Sequence, residues 1–255
     1  MYLSAEAIAK SVWLYVAAIG VCLCTVPPQP IPPDKLREKY DDPSIASESE
    51  GRPAITPPPT PPRFNYEAAS ATFSLSYFPY IFSTWVVLMS TLDSSHTLDL
   101  LYPRVLPVGH TGAAQTFNPQ LIAGLILTTA FSALRFAAFR TLGKFFTYQL
   151  SILPDHKLVT YGLYSYVRHP SYTAVPFVFV GVLLTVTAPG SVLYDYLGAE
   201  STRKLMIVLA LAIARGAYVF LRRAEIEDQV LRKEFGKEWE EWAQVVRYRF
   251  IPGVL

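Results

Sequence analysis

The sequence carries almost no charge imbalance and almost no cysteine. Formal net charge is +2 over 255 residues, so the basic footprint of a nucleic-acid-binding protein is missing. The two cysteines, Cys22 and Cys24, sit in an apolar run. Two positions apart on a helix they point to different faces, which argues against a disulfide or metal pair and makes them small membrane residues. No P-loop, glycine-rich dinucleotide fingerprint or serine nucleophile elbow is written in the chain. His96 and His110 have no carboxylate or cysteine at ligand spacing and read as loop residues. Neither a metal nor a nucleic acid is expected.

What is present is apolar. Hydrophobic residues make up 51% of the chain, a high share for a water-soluble domain. They gather in blocks at about Ser11–Val26, Phe73–Leu92, Pro119–Phe139, Tyr172–Ala188 and Leu205–Leu221. A helix crosses a bilayer with ~20 apolar residues, in a range of ~17–25. The second and third blocks fit well. The last two are short, so they either tilt, extend into their flanks, or form a hairpin that dips in and returns. The first block could be a signal peptide behind Lys10, but Glu6 and the lack of an A-x-A site favour a retained span.

The expected architecture is therefore an all-α integral membrane protein of about five transmembrane helices. Its parts are a first helix in 1–26, a Pro-rich loop in 27–70, two helices in 71–139 and a core in 140–255. The Pro-rich loop, with Pro57-Pro58-Pro59-Thr60-Pro61-Pro62, lacks the apolar content to build a core and reads as extramembrane and mobile.

Positive residues favour the cytoplasm. The Pro-rich loop holds Lys35, Arg37, Lys39, Arg52 and Arg63; the segment after the third block holds Arg140, Lys144, Lys157 and Arg168; the C-terminal tail is richer still. The other side receives Lys10, Arg104, Arg203 and Lys204. All three basic segments are expected on the cytosolic side, and the last two carry the chemistry.

The first of these runs from Asp155 to Tyr172 and is dense in aromatic and hydrogen-bonding groups. Pro170 is suited to the first turn of a helix. Arg168 and His169 would then stand at its N-terminus, where an anion is favoured. The competing reading is an interfacial anchor of snorkelling side chains. The second runs from Arg222 to Trp242 and reads as the fifth span continuing outward as an amphipathic helix. Arg223 and Glu227 are four apart and share a face. Arg232, Lys233, Lys237, Glu240 and Glu241 read as solvated pairs, and Trp239 and Trp242 as interfacial packing. Arg135 is near enough to the end of its block to snorkel. Arg215 is deeper and faces either a polar cavity or a carboxylate.

At these two stretches the sequence resembles the isoprenylcysteine carboxyl methyltransferase family. The family's first motif, H-x-L-V-T-x-G-x-Y-x-x-x-R-H-P-S-Y, is matched from His156 to Tyr172 at every fixed position. The second, R-x-x-x-E-E-x-x-L-x-x-x-F-G-x-E-[YW], runs from Arg223 through Glu227, Leu231, Phe235-Gly236 and Glu238 to Trp239, with Asp228 in place of its second glutamate. The match covers roughly the C-terminal half.

The resemblance implies an enzyme that transfers methyl from S-adenosylmethionine to the C-terminal carboxylate of a prenylated cysteine. It implies donor contacts at Gln149, His156, Leu158, Val159, Tyr164, His169, Pro170, Ser171, Tyr172 and Glu227. Arg223 would meet the substrate carboxylate, with Arg168 near the reaction centre. Partners would be prenylated, CaaX-processed proteins and membrane lipid, and the location the endoplasmic reticulum. The alternatives are a phospholipid N-methyltransferase, which needs a base, or a catalytically silent membrane paralogue.

Overall fold

A computed structural model describes residues 5–25, 117–146, 155–189 and 191–254. The second apolar block, the Pro-rich loop, His96, His110 and Gln149 lie outside these residues. Every regular element among the described residues is helical: α1 (Ala5–Thr25), α2 (Pro119–Leu142), α3 (Pro170–Val186), α4 (Val192–Phe235) and α5 (Lys237–Val245), with two short 3-10 turns at Gly143–Phe145 and Gly162–Ser165.

The helix starts follow capping chemistry. Asn118 caps α2, its side chain accepting from the Leu121 N–H at 2.9 Å, and Pro119 follows where a missing N–H costs nothing. Pro170 opens α3 in the same way, as its position after His169 predicts. Ser191 caps α4 by accepting from the Tyr194 N–H at 3.2 Å.

α2 and α3 cross at two glycines. A Cβ on Gly124 would lie 2.7 Å from the Thr185 nitrogen, and one on Gly181 would lie 2.6 Å from the Thr128 nitrogen. Only glycine at both positions lets the backbones come this close. Each threonine hydroxyl donates back to a glycine carbonyl in its own helix, Thr128 to Gly124 at 2.8 Å and Thr185 to Gly181 at 2.9 Å. At one end of the pair, Gln120 donates to the Leu184 carbonyl and to Thr187, and Asn118 to the Pro189 carbonyl. α1 packs on the pair through Leu14, Ala17, Ala18 and Val21, against Leu121, Leu125, Val178 and Val182.

Among the described residues, two helical stretches are long and apolar enough to cross a membrane, Pro119–Phe145 and Leu197–Phe235. α3 has 17 residues, about 26 Å of helix, short of the ~30 Å hydrocarbon core. α4 bends at Gly198, whose φ of 74° leaves the helical region. Beyond the bend it runs on past the short block read from composition. Residues 203–223 include no buried position. Such an uncovered apolar stretch has lipid as its natural solvent. The 39 residues of Leu197–Phe235 extend about 58 Å, nearly twice the hydrocarbon core. The end that stands clear holds Arg223, Glu227 and Asp228. α5 then turns away at Gly236, where φ is 53°.

Candidate active site

The N-terminus of α3, the projecting part of α4, α5 and the segment 155–169 converge. Beneath them lies a second apolar cluster of Ala138, Val159, Tyr164, Trp239, Trp242 and Val246. It supports an open cavity of about 80 Å³. His156, Leu158, Val159, Tyr164, Arg168, His169, Ser171 and Tyr172 of the first motif line this cavity, together with Arg223 and Glu227 of the second. Pro170 is fully buried at the start of α3 and does not line it.

At the centre is Tyr172. Its hydroxyl donates to Glu227 Oε2 at 2.6 Å and accepts from Arg223 Nε at 2.8 Å. The two α4 residues that share a face are thus joined through a phenol on α3. Tyr172 also stacks on His169, with ring centroids 5.5 Å apart and planes 5° apart.

His169 Nε2 lies 3.0 Å from Asp228 Oδ1. Arg168 Nη1 donates to Asp228 Oδ2 at 2.9 Å, and Arg249 Nε to the same oxygen at 3.0 Å. The C-terminal tail is stitched across this group. The Arg168 N–H donates to the Tyr248 carbonyl at 3.0 Å, His169 N–H to Arg249 at 2.8 Å, and the Thr173 hydroxyl to Phe250 at 2.9 Å. Burial lowers the pKa of Arg168 from its ordinary value, against the opposing pull of Asp228.

His156 sits between Phe145 and Phe235, with ring centroids 4.8 and 5.9 Å away. Burial lowers its pKa, outweighing the nearby carboxylates Glu227 and Glu234 that would raise it. The imidazole is therefore neutral at pH 7. Tyr164, buried and close to Glu227, is pushed well above the usual phenol range and stays protonated.

Two buried polar atoms of lining residues, His156 Nδ1 and Arg168 Nε, have no hydrogen-bond partner among the described residues. Burial without a partner costs about 1–3 kcal/mol per group. The lining therefore suits a polar ligand that both donates and accepts hydrogen bonds. Glu227 and neutral His156 accept, the arginines donate, and Phe145, Phe146, Leu142 and Leu231 supply an apolar wall.

Residues 124–232 match the isoprenylcysteine carboxyl methyltransferase (ICMT) family. That stretch is less than half of the chain. Over 125 residues, 48% of this chain and 56% of the relative, it is 30% identical to a probable protein-S-isoprenylcysteine O-methyltransferase found in both indica and japonica rice. Over 125 residues it is 31% identical to protein-S-isoprenylcysteine O-methyltransferase B of Arabidopsis thaliana, covering 48% of this chain and 55% of that protein. The chain spans about half the length of the curated relatives it matches. No solved structure matches it.

The matched stretch begins inside α2. Arg135, read from sequence as snorkelling, is instead 3% exposed. Its Nη1 donates to the Ser171 hydroxyl at 2.7 Å and carbonyl at 3.1 Å. The close α2–α3 crossing places it under the first turn of α3, where those oxygens outcompete the membrane surface. Trp242, read as interfacial packing, is buried in the cavity wall and donates to the Tyr164 carbonyl at 3.2 Å. Trp239 is also buried, with the Arg168 guanidinium 5.6 Å from its ring. Arg215 is exposed on α4 and faces neither a cavity nor a carboxylate among the described residues. The solvated pairs hold: Arg232 bonds Glu240 at 2.6 Å and Lys237 lies 3.7 Å from Glu241.

Proposed function

We propose that this protein is a member of the isoprenylcysteine carboxyl methyltransferase family and transfers methyl from S-adenosylmethionine to the C-terminal carboxylate of a prenylated cysteine. The observation that carries this is the Arg223–Tyr172–Glu227 bridge inside a cavity lined by both motifs. It sets a cation for the acceptor beside an anion for the donor. In this reading about five helices cross the endoplasmic reticulum membrane, with the cavity toward the cytosol and prenylated, CaaX-processed proteins as substrates.

The donor, when bound, supplies an electrophilic methyl on a positively charged sulfur. Glu227 would accept from its hydroxyls or ammonium, and neutral His156 would offer Nδ1 without adding a competing charge. Leu158 and Val159, which line the cavity, would hold its base. Gln149, Tyr164, His169, Pro170 and Ser171 complete the contacts carried by the resemblance, Pro170 by starting the helix that aims Ser171 and Tyr172.

The acceptor carboxylate is ionised at neutral pH, so no general base is required. Arg223 grips it and Tyr172 fixes the Arg223 guanidinium through Nε. Arg168 stands beside the reacting groups. Orientation of this kind supplies about 7–11 kcal/mol toward the barrier. The apolar wall and the lipid-facing α4 give the prenyl chain a path from the bilayer.

The test is methyl transfer in membranes expressing the protein, with labelled S-adenosylmethionine and N-acetyl farnesylcysteine. Base-labile label on the prenylcysteine, lost in Arg223→Ala and Glu227→Ala, is the expected result. Donor binding without prenylcysteine label, but with label on phospholipid amines, would move the activity to lipid N-methylation. A protein that binds no donor would be a silent paralogue.

A further inference from the structure

Asp228 stands where the second motif has glutamate, and it is 4% exposed with both oxygens engaged. It neighbours Glu227 on α4, and consecutive helical residues point about 100° apart. Glu227 thus turns to Tyr172, while Asp228 turns to Arg168, His169 and the tail.

The Arg168 guanidinium is pinned at two corners. Nη1 donates to Asp228 at 2.9 Å, and Nη2 to the Arg247 carbonyl at 3.1 Å. Its remaining nitrogen, Nε, is buried with no partner among the described residues. A planar fork held at two corners, with Trp239 packed 5.6 Å from its carbon, cannot rotate. The same carboxylate fixes His169. A carboxylate only accepts, so Nε2 carries a proton toward Asp228. His169 in turn stacks on Tyr172, the residue that joins Arg223 to Glu227.

We propose that Asp228 is a positioning residue for methyl transfer, one that locks the plane of the Arg168 guanidinium. This rests on the methyl-transfer reading. It differs from simple neutralisation of buried cations, because its effect must run through Arg168 and fall on turnover rather than on donor binding.

The experiment compares parent, Asp228→Asn, Asp228→Glu, Arg168→Lys and the Asp228→Asn/Arg168→Lys double variant in membranes. It reads kcat and KM for N-acetyl farnesylcysteine, and equilibrium binding of labelled S-adenosylmethionine. Asp228→Asn lowers kcat about tenfold or more while donor affinity stays within about twofold. Asp228→Glu recovers to within about threefold of the parent, and the double variant is no worse than the poorer single one. Should Asp228→Asn fail to bind donor, Arg168→Lys carries the test. It keeps a cation for Asp228 but loses the planar fork, so kcat falls with donor affinity intact. The proposal is overturned if Asp228→Asn turns over like the parent, if the single losses multiply in the double variant, or if Arg168→Lys keeps full kcat. A parent that forms no ester overturns the methyl-transfer reading, and this one with it. That outcome is told apart by its being common to every variant.

Discussion

The Tyr172 hydroxyl stands between two ions of opposite sign, donating to Glu227 and accepting from Arg223. Tyr172→Phe keeps the ring that stacks on His169 and deletes only this bridge. Hydrogen bonds to charged groups contribute about 1.5–3 kcal/mol, so kcat/KM for the prenylcysteine is expected to fall about tenfold or more. Steady-state kinetics on the purified variant checks this. A second expectation concerns pH. His156 has a lowered pKa because it is buried, so its neutral form persists somewhat below the ordinary value of about 6.5. Protonation would set a cation beside a cationic donor. Donor affinity therefore holds at neutral pH and weakens as pH falls below that range, a dependence that His156→Gln abolishes; binding isotherms from pH 7.5 downward would show it. These polar residues were legible in the sequence because they sit in two contiguous motifs. Arg135 was not. Its role follows from which oxygens lie across the helix crossing, and no local pattern records that.

At the scale of elements, the α2–α3 pair depends on two reciprocal glycine–threonine contacts. Gly181→Val would force a side chain against the Thr128 backbone. Overpacking of this kind costs about 1–3 kcal/mol, and a lower unfolding temperature in detergent is expected. Gly216→Ala is the contrast, since nothing lies within 4 Å of the Cβ it would add, and it should leave stability unchanged or slightly higher. Composition predicted the third apolar block and the Pro170 start of α3, because bilayer length and proline chemistry are local properties. The reciprocal glycines went unread. Each is an ordinary small residue in an apolar run, and its meaning appears only when the facing helix supplies a threonine. The full extent of α4 was also hidden by its composition, which changes from apolar to charged at Arg222 while the helix continues without a break to Phe235.

At the scale of the whole molecule, α4 joins two solvents. Its residues 203–223 are uncovered and mostly apolar, and the next turns carry the cavity wall. A cysteine at Leu211 should resist a water-soluble maleimide in intact membranes, whereas one at exposed Glu234 should react; mass spectrometry of the labelled chain reads both. Equal labelling would remove the lipid-facing assignment. The apolar stretch ends at Arg223, itself a lining residue, so no spacer separates the bilayer from the cavity. An acceptor anchored by a prenyl chain would then arrive by diffusing in two dimensions. What governs its encounter is its mole fraction among the surrounding lipids, not its amount per litre. Adding inert lipid at fixed protein and acceptor should slow the reaction by surface dilution, while adding buffer at fixed donor concentration should leave the turnover per enzyme unchanged.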